Sequence, residues 1–210
     1  AGELSVSGTV TVWDAELFGG VQHSGGGIFA TGLTVFGQLE VSLAKSAGQG
    51  GCISVGWGAV FGQMIARNCT AVGQGAGILA MEQLDCTGSI IVDDSETWAG
   101  SAVVVHGVAK IQNMTIRRSL TPAGCGFSGA GPSLLLQNSS ISAVQGQHVG
   151  WVQTASPVTT RDASVVLQSV ILMEGRGVTI VASRWGLDVA CDCTSVGSGS
   201  TPCTTTRSEE

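Results

Sequence analysis

Gly26-Gly27-Ile28-Phe29 returns along the chain as Gly50-Gly51-Cys52-Ile53, as Gly75-Ala76-Gly77-Ile78, as Gly100-Ser101-Ala102-Val103 and, more loosely, as Gly124-Cys125-Gly126-Phe127. The starts lie 24 or 25 residues apart. A period of that length marks a chain built from stacked structural repeats. Gln38, Gln63, Gln112 and Gln137 supply a second marker at one place in successive units, filled by Asp14 in the first and Gly88 in the third. Gln168 continues the series after 31 residues, which places an insertion within 148–161, the stretch containing Pro157.

Inside a unit the pattern is that of strands. Leu33-Thr34-Val35 and Leu39-Glu40-Val41-Ser42-Leu43 alternate with period two, as does Thr9-Val10-Thr11-Val12, and Gly or Asn separates the runs. No segment carries a sustained helical stripe. Two or three short strands with tight turns use about 25 residues, one coil of a parallel β-helix, whereas a propeller blade needs about 40 to 50. The expected fold is all-β: a right-handed parallel β-helix (solenoid) of about seven coils spanning 1–194, about 35 Å long at about 4.8 Å per coil. Repeat starts fall near Gly26, Gly50, Gly75, Gly100 and Gly124, and 195–210, rich in Gly, Ser and Thr, reads as a flexible tail or linker. Glycine allows positive φ at the corners. The series Gln38, Gln63, Gln112, Gln137 and Gln168 is expected to stack as a ladder of side-chain amides.

Of 210 residues 32 are Gly, 43% are hydrophobic and only 11% are charged, about half the usual charged share of roughly 25%. That suits a β structure surfaced with hydroxyls and amides, and it excludes a disordered chain. Nine basic residues against fifteen acidic ones give a net charge of −6, with no clustered basic footprint for nucleic acid. The uncharged stretches 46–66 and 119–160 are broken by Gly, Gln, Ser or Pro, so no transmembrane segment is read. Ala1-Gly2-Glu3 lacks the start of a signal peptide, so the chain reads as a mature product or a piece of something longer.

The Gly-Gly-x-Ile starts, the Asn-x-Thr/Ser of Asn113-Met114-Thr115 and Asn138-Ser139-Ser140, and the period itself resemble the degenerate repeats of right-handed β-helix surface proteins. Polymorphic outer-membrane-protein repeats and pectin-lyase-like modules are the nearest types. The resemblance covers about 26–144, and it departs from the former in that Phe36 and Phe61 are not followed three residues later by Asn. It implies the fold and a spread of roles: adhesins, passenger domains, structural surface proteins and polysaccharide-cleaving enzymes.

For such enzymes the resemblance implies carboxylates with Arg or Lys on one outer face. The comparable grouping is Asp93-Asp94 in one unit and Arg117-Arg118 in the next, at matching places. It reads either as acid/base chemistry with Arg neutralising an acidic sugar or, preferably, as an ion pair between neighbouring coils. His23, His106 and His148 fall at different places in their units, so neither a metal site nor another cofactor is expected. Trp13, Trp57, Trp98, Trp151 and Trp185 share no register and are expected to pack in the core or at coil edges.

Cys52, Cys69, Cys86 and Cys125 lie in the repeats, while Cys191, Cys193 and Cys203 form a candidate disulfide cluster closing the rod; seven in total leaves one thiol over. Disulfides imply an extracytoplasmic location, whether secreted, on the cell surface or in an organelle lumen; buried thiols as small apolar filler are the alternative. Asn68, Asn113 and Asn138 open formal glycosylation sequons. The strand-like start leaves an open edge that invites pairing. The functional expectation is a non-catalytic structural, adhesive or scaffold module of a surface protein or larger assembly. Its partners would be other protein subunits, further coils of a longer solenoid, or carbohydrate. The alternative is a carbohydrate-active enzyme, a polysaccharide lyase or hydrolase acting through Asp93, Asp94, Arg117 and Arg118.

Overall fold

The computed structural model describes residues 4–131, 133–142, 145–154, 164–173, 178–182, 188–196 and 203–207, with side chains described for 4–122, 125–131 and 133–142. Their regular structure is all strand, and neighbouring strands run parallel. Ile28–Ser42 lies along Ile53–Arg67 with Ile28 opposite Ile53, Leu33 opposite Ala59 and Leu39 opposite Met64. Ile53–Arg67 pairs in turn with Ile78–Ala80 and Gln83–Asp93. The chain therefore climbs one level per repeat and forms a β-solenoid.

It makes about five turns, with coils starting at Leu4, Ile28, Ile53, Ile78 and Val103. About seven were expected; a further level begins at Phe127, and past Ser142 the described strands no longer form one continuous run. Parallel pairing still continues there, as far as Cys203–Arg207 beside Val178–Ala182. That last strand falls within the segment expected to be a tail. The register aligns Gly25 with Gly50 and Gly75, one residue ahead of the first repeat start chosen from sequence.

Each coil turns through four sides. Inward columns on three of them are apolar: Ile28, Ile53, Ile78, Val103 and Phe127 on the first; Leu33, Ala59, Leu84, Ala109 and Leu134 on the second; Val41, Ala66, Val92, Ile116 and Ile141 on the third. All are buried, and each large side chain so buried stabilises the fold by about 1.5–3 kcal/mol. The second side packs by compensation within a coil. Small Ala59 stands beside Phe61, Leu84 beside the smaller Cys86, and Ala109 beside Ile111, which keeps the interior filled while the sequence drifts.

The fourth side is polar inside. Ser46, Ala71, Thr97 and Thr121 form its inward column, all buried. Ser46 donates its hydroxyl to the His23 carbonyl (2.9 Å), and Thr97 to that of Gly73. Short side chains fit this inward position, and in the coils of Ser46 and Thr97 the hydroxyl satisfies a backbone carbonyl of the neighbouring coil.

Corners show why glycine recurs and where it is not needed. Gly25, Gly50 and Gly75 have φ of 62°, 65° and 68°, and a Cβ on Gly75 would stand 2.6 Å from the Ile78 carbonyl oxygen. The opposite corner is Gly19 in the first coil, with φ of 72°, and is made without glycine in the coils that follow. Leu43, Asn68, Asp94 and Arg118 occupy it in successive coils, all left-handed with φ between 48° and 58°. In the coil starting at Ile53 the interior is also cross-linked, Cys52 to Cys69, with Cα atoms 5.4 Å apart. Glycine precedes the first inward residue in the coils on either side. A Cβ on Gly27 would meet Val41 at 2.3 Å, and one on Gly77 would meet Val92 at 2.8 Å. The small Ala66 replaces that valine in the cross-linked coil, so Cys52 fits.

Candidate functional site

Asp93 ends the strand Gln83–Asp93 and lies in register between Arg67 of the coil before and Arg117 of the coil after. Charges of alternating sign thus stack up one outer face, the arrangement that stabilises cross-strand neighbours. Arg117 Nη2 donates to Asp93 Oδ2 at 2.8 Å. Arg118 grips Asp94 through two parallel bonds, Nε to Oδ1 and Nη2 to Oδ2, both 2.8 Å. Its Nη2 also lies 2.6 Å from Asp93 Oδ1, close enough for an ion pair although off hydrogen-bond geometry. The left-handed backbone at Asp94 and Arg118 turns these two side chains alike, one coil apart, which is why they meet.

The four residues singled out from sequence therefore converge, and they converge on each other. Asp93 is buried, with its side chain 7% exposed, while Arg118 is about half in solvent and Arg117 is partly covered, its Nε buried. Arg118 holds the Asp94 carboxyl below the ordinary carboxylate range, chiefly through its hydrogen bonds, and Asp94 in return raises the Arg118 guanidinium above its ordinary value. A general acid needs the opposite shift. Arg67 makes a further pair with Glu40 at 3.2 Å.

The glutamines fall in two rows. Gln38 is opposite Gln63, whereas Gln112, Gln137 and Gln168 align with one another one place earlier in the coil; Ser89 stands opposite Gln63. The surplus residues of the insertion fall between Gln137 and Gln168, and 155–163 lie outside the described residues. Cys191 and Cys193 sit in Asp188–Val196, beside Ser164–Met173, and Cys203 sits in Cys203–Arg207 on another side; their side chains lie outside the described ones. Asn68, Asn113 and Asn138 are exposed, each in the left-handed conformation, and Asn113 donates to the Gly88 carbonyl.

Cys86 and Cys125 are buried thiols. Burial pushes Cys86 up to about 11, so it stays protonated and unreactive. His106 is hydrogen-bonded to Gln74 Oε1 at 2.9 Å. Among the described residues no group of three His, Cys, Asp or Glu could hold a metal, and no helix is long and apolar enough to cross a membrane.

One feature escaped the sequence, and another gives detail to the open edge read at its start. Trp13, Trp57 and Trp98, expected in the core or at packed edges, stand 68–70% exposed at corners. The inward row of the first coil, Leu4, Val6, Val10, Val12, Ala15 and Leu17, is only half-buried, because among the described residues no strand covers its outer edge. The tryptophans leave the inside–outside alternation at the corners, where period-two counting says nothing. Comparison with known protein families, curated proteins and solved structures found no match to this chain.

Proposed function

We propose that the chain is a non-catalytic structural, adhesive or scaffold module that works by end-on association, through the first coil, with another protein subunit or with further coils of a longer solenoid. The observation that carries this reading is the half-buried inward row at Leu4–Val12 and Ala15–Phe18, beside strand edges whose outward backbone groups are unpaired among the described residues. Such an edge is a template for parallel pairing. Exposed Phe18, Val21 and Leu43 lie around the same end. The mutual ion pairing of Asp93, Asp94, Arg117 and Arg118 supports a structural part for those four. The Cys52–Cys69 disulfide supports an extracytoplasmic location.

Association is the test. From its source cells the chain should be recovered in an assembly that Val10→Lys with Leu17→Lys breaks apart, since both positions are half-exposed and let lysine reach solvent without unfolding the coil. Asp94→Ala with Arg118→Ala should leave that assembly intact. The purified chain should cleave no acidic polysaccharide; cleavage that disappears in Asp94→Ala would replace this reading with that of a carbohydrate-active enzyme.

A further inference from the structure

We propose that the first two coils carry a binding site for a neutral pyranose sugar, with Trp13 and Phe36 as its platform. Each of these residues follows the last inward residue of its coil's second side, Val12 or Val35, so the chain has just turned the corner and the ring points out. They are 70% and 58% exposed, and their centroids stand 4.8 Å apart with the planes tilted by 30°. The rings of two stacked coils thus pack against each other, tilted, and keep their outer surfaces in solvent. Beside them lies a shallow depression of about 360 Å³, lined by Asp14, Ala15, Glu16, Gln38 and Glu40, within the range of small-molecule sites.

The backbone builds this junction closely. Gly37 donates its N–H to the Trp13 carbonyl at 2.8 Å, and the next amide, Gln38, donates to Asp14 Oδ1 at 2.8 Å. A Cβ on Gly37 would stand 2.3 Å from both the Trp13 oxygen and Asp14 Oδ1. Glycine at 37 is what lets the platform and the acceptor row meet.

The chemistry selects the ligand. A pyranose offers an apolar C–H face to an aromatic ring and a belt of hydroxyl donors at its rim. Here an exposed aromatic pair adjoins the carboxylates of Asp14, Glu16 and Glu40 and the Gln38 amide, all able to accept from hydroxyls. Arg67 is ion-paired with Glu40, so the net charge at the depression is negative and repels uronates, sulfates and phosphates. Selection therefore runs to neutral sugars, away from the acidic polysaccharides that a cluster such as Asp93, Asp94, Arg117 and Arg118 would suggest. So open a site binds one sugar unit weakly, and affinity grows when a polymer engages several copies.

The test is Trp fluorescence and ligand-observed NMR on the full chain with cellotriose, maltotriose, mannotriose and tri-N-acetylchitotriose as neutral probes and trigalacturonate as the acidic one. At least one neutral trisaccharide should bind, trigalacturonate should bind at least tenfold more weakly, and Trp13→Ala and Phe36→Ala should each weaken the neutral binding at least tenfold. Trp57→Ala, which removes an equally exposed ring at another corner, should leave it unchanged. Binding by none of the four neutral probes, equal binding of trigalacturonate, or binding that survives Trp13→Ala overturns the proposal. Neither Trp13 nor Phe36 belongs to the inward row, so the end-on association stands or falls separately, with Val10→Lys and Leu17→Lys.

Discussion

In the coil that starts at Ile53, the inward residues Ile53, Val55, Ala59, Phe61, Met64 and Ala66 are fully buried, whereas their register partners one and two coils earlier diverge. The second coil is equally dry; the first, with Leu4, Val6, Val10, Val12, Ala15 and Leu17, stays half-buried. The alternation of inward and outward residues and the parallel register are alike in all three. What differs is the number of neighbours among the described residues, two for an internal coil and one for the first. Stability in a solenoid comes from stacking, so an end coil has as much structure as its neighbours and less to hold it.

The largest expected consequence is in the core. Phe61→Ala should cost about 3–5 kcal/mol in urea unfolding, while Val12→Ala, its counterpart in the first coil, should cost less than about 1 kcal/mol because its burial is already incomplete; equal costs would erase the distinction. Next is the cross-link. Removing it with Cys52→Ala and Cys69→Ala, 17 residues apart, should lower stability by about 3 kcal/mol, and mass spectrometry of the unreduced chain should find this pair joined. Corner geometry comes third. Gly75→Ala forces a left-handed alanine against a carbonyl and should cost about 2 kcal/mol, whereas Gly8 in the first coil, whose nearest obstacle is a Val6 methyl at 3.9 Å, should accept alanine within about 0.5 kcal/mol.

The smallest effect is electrostatic. Asp94 is held below its ordinary range by Arg118, so its contribution is complete above the unfolded value of about 3.9 and is lost as pH falls through the lowered folded one. The stability difference between the wild type and Asp94→Asn should be flat from neutral pH down to about 5, and should shrink below about 4. High salt should flatten it throughout, since both partners are exposed.

The period, the strands and the glycine corner were readable because each repeats at a fixed place. The charged quartet was readable for the same reason, since equal offsets in adjacent units mean adjacency in space. The Cys52–Cys69 cross-link was not, because it depends on a three-way exchange: cysteine where neighbouring coils have Gly27 and Gly77, and alanine at 66 where they have valine. The left-handed corner hid behind four different residues, Leu43, Asn68, Asp94 and Arg118. Sequence also merged two rows of glutamine into one. The coil of Gln83–Asp93 spends one residue more than its predecessor between Cys86 and Ile90, and that shifts the count without breaking the stack.

The central claim is that the first coil is an edge ready to receive another. Placing a copy of residues 28–52 directly ahead of Leu4 supplies that coil in register, since Leu4 and Ile53 both align with Ile28. Amide hydrogen exchange across Leu4–Val12 is then the direct measurement. The account predicts that protection in this strand, low in the unmodified chain, rises toward that of Ile53–Arg67. Protection that stays unchanged, with the added coil itself exchanging freely, would contradict it.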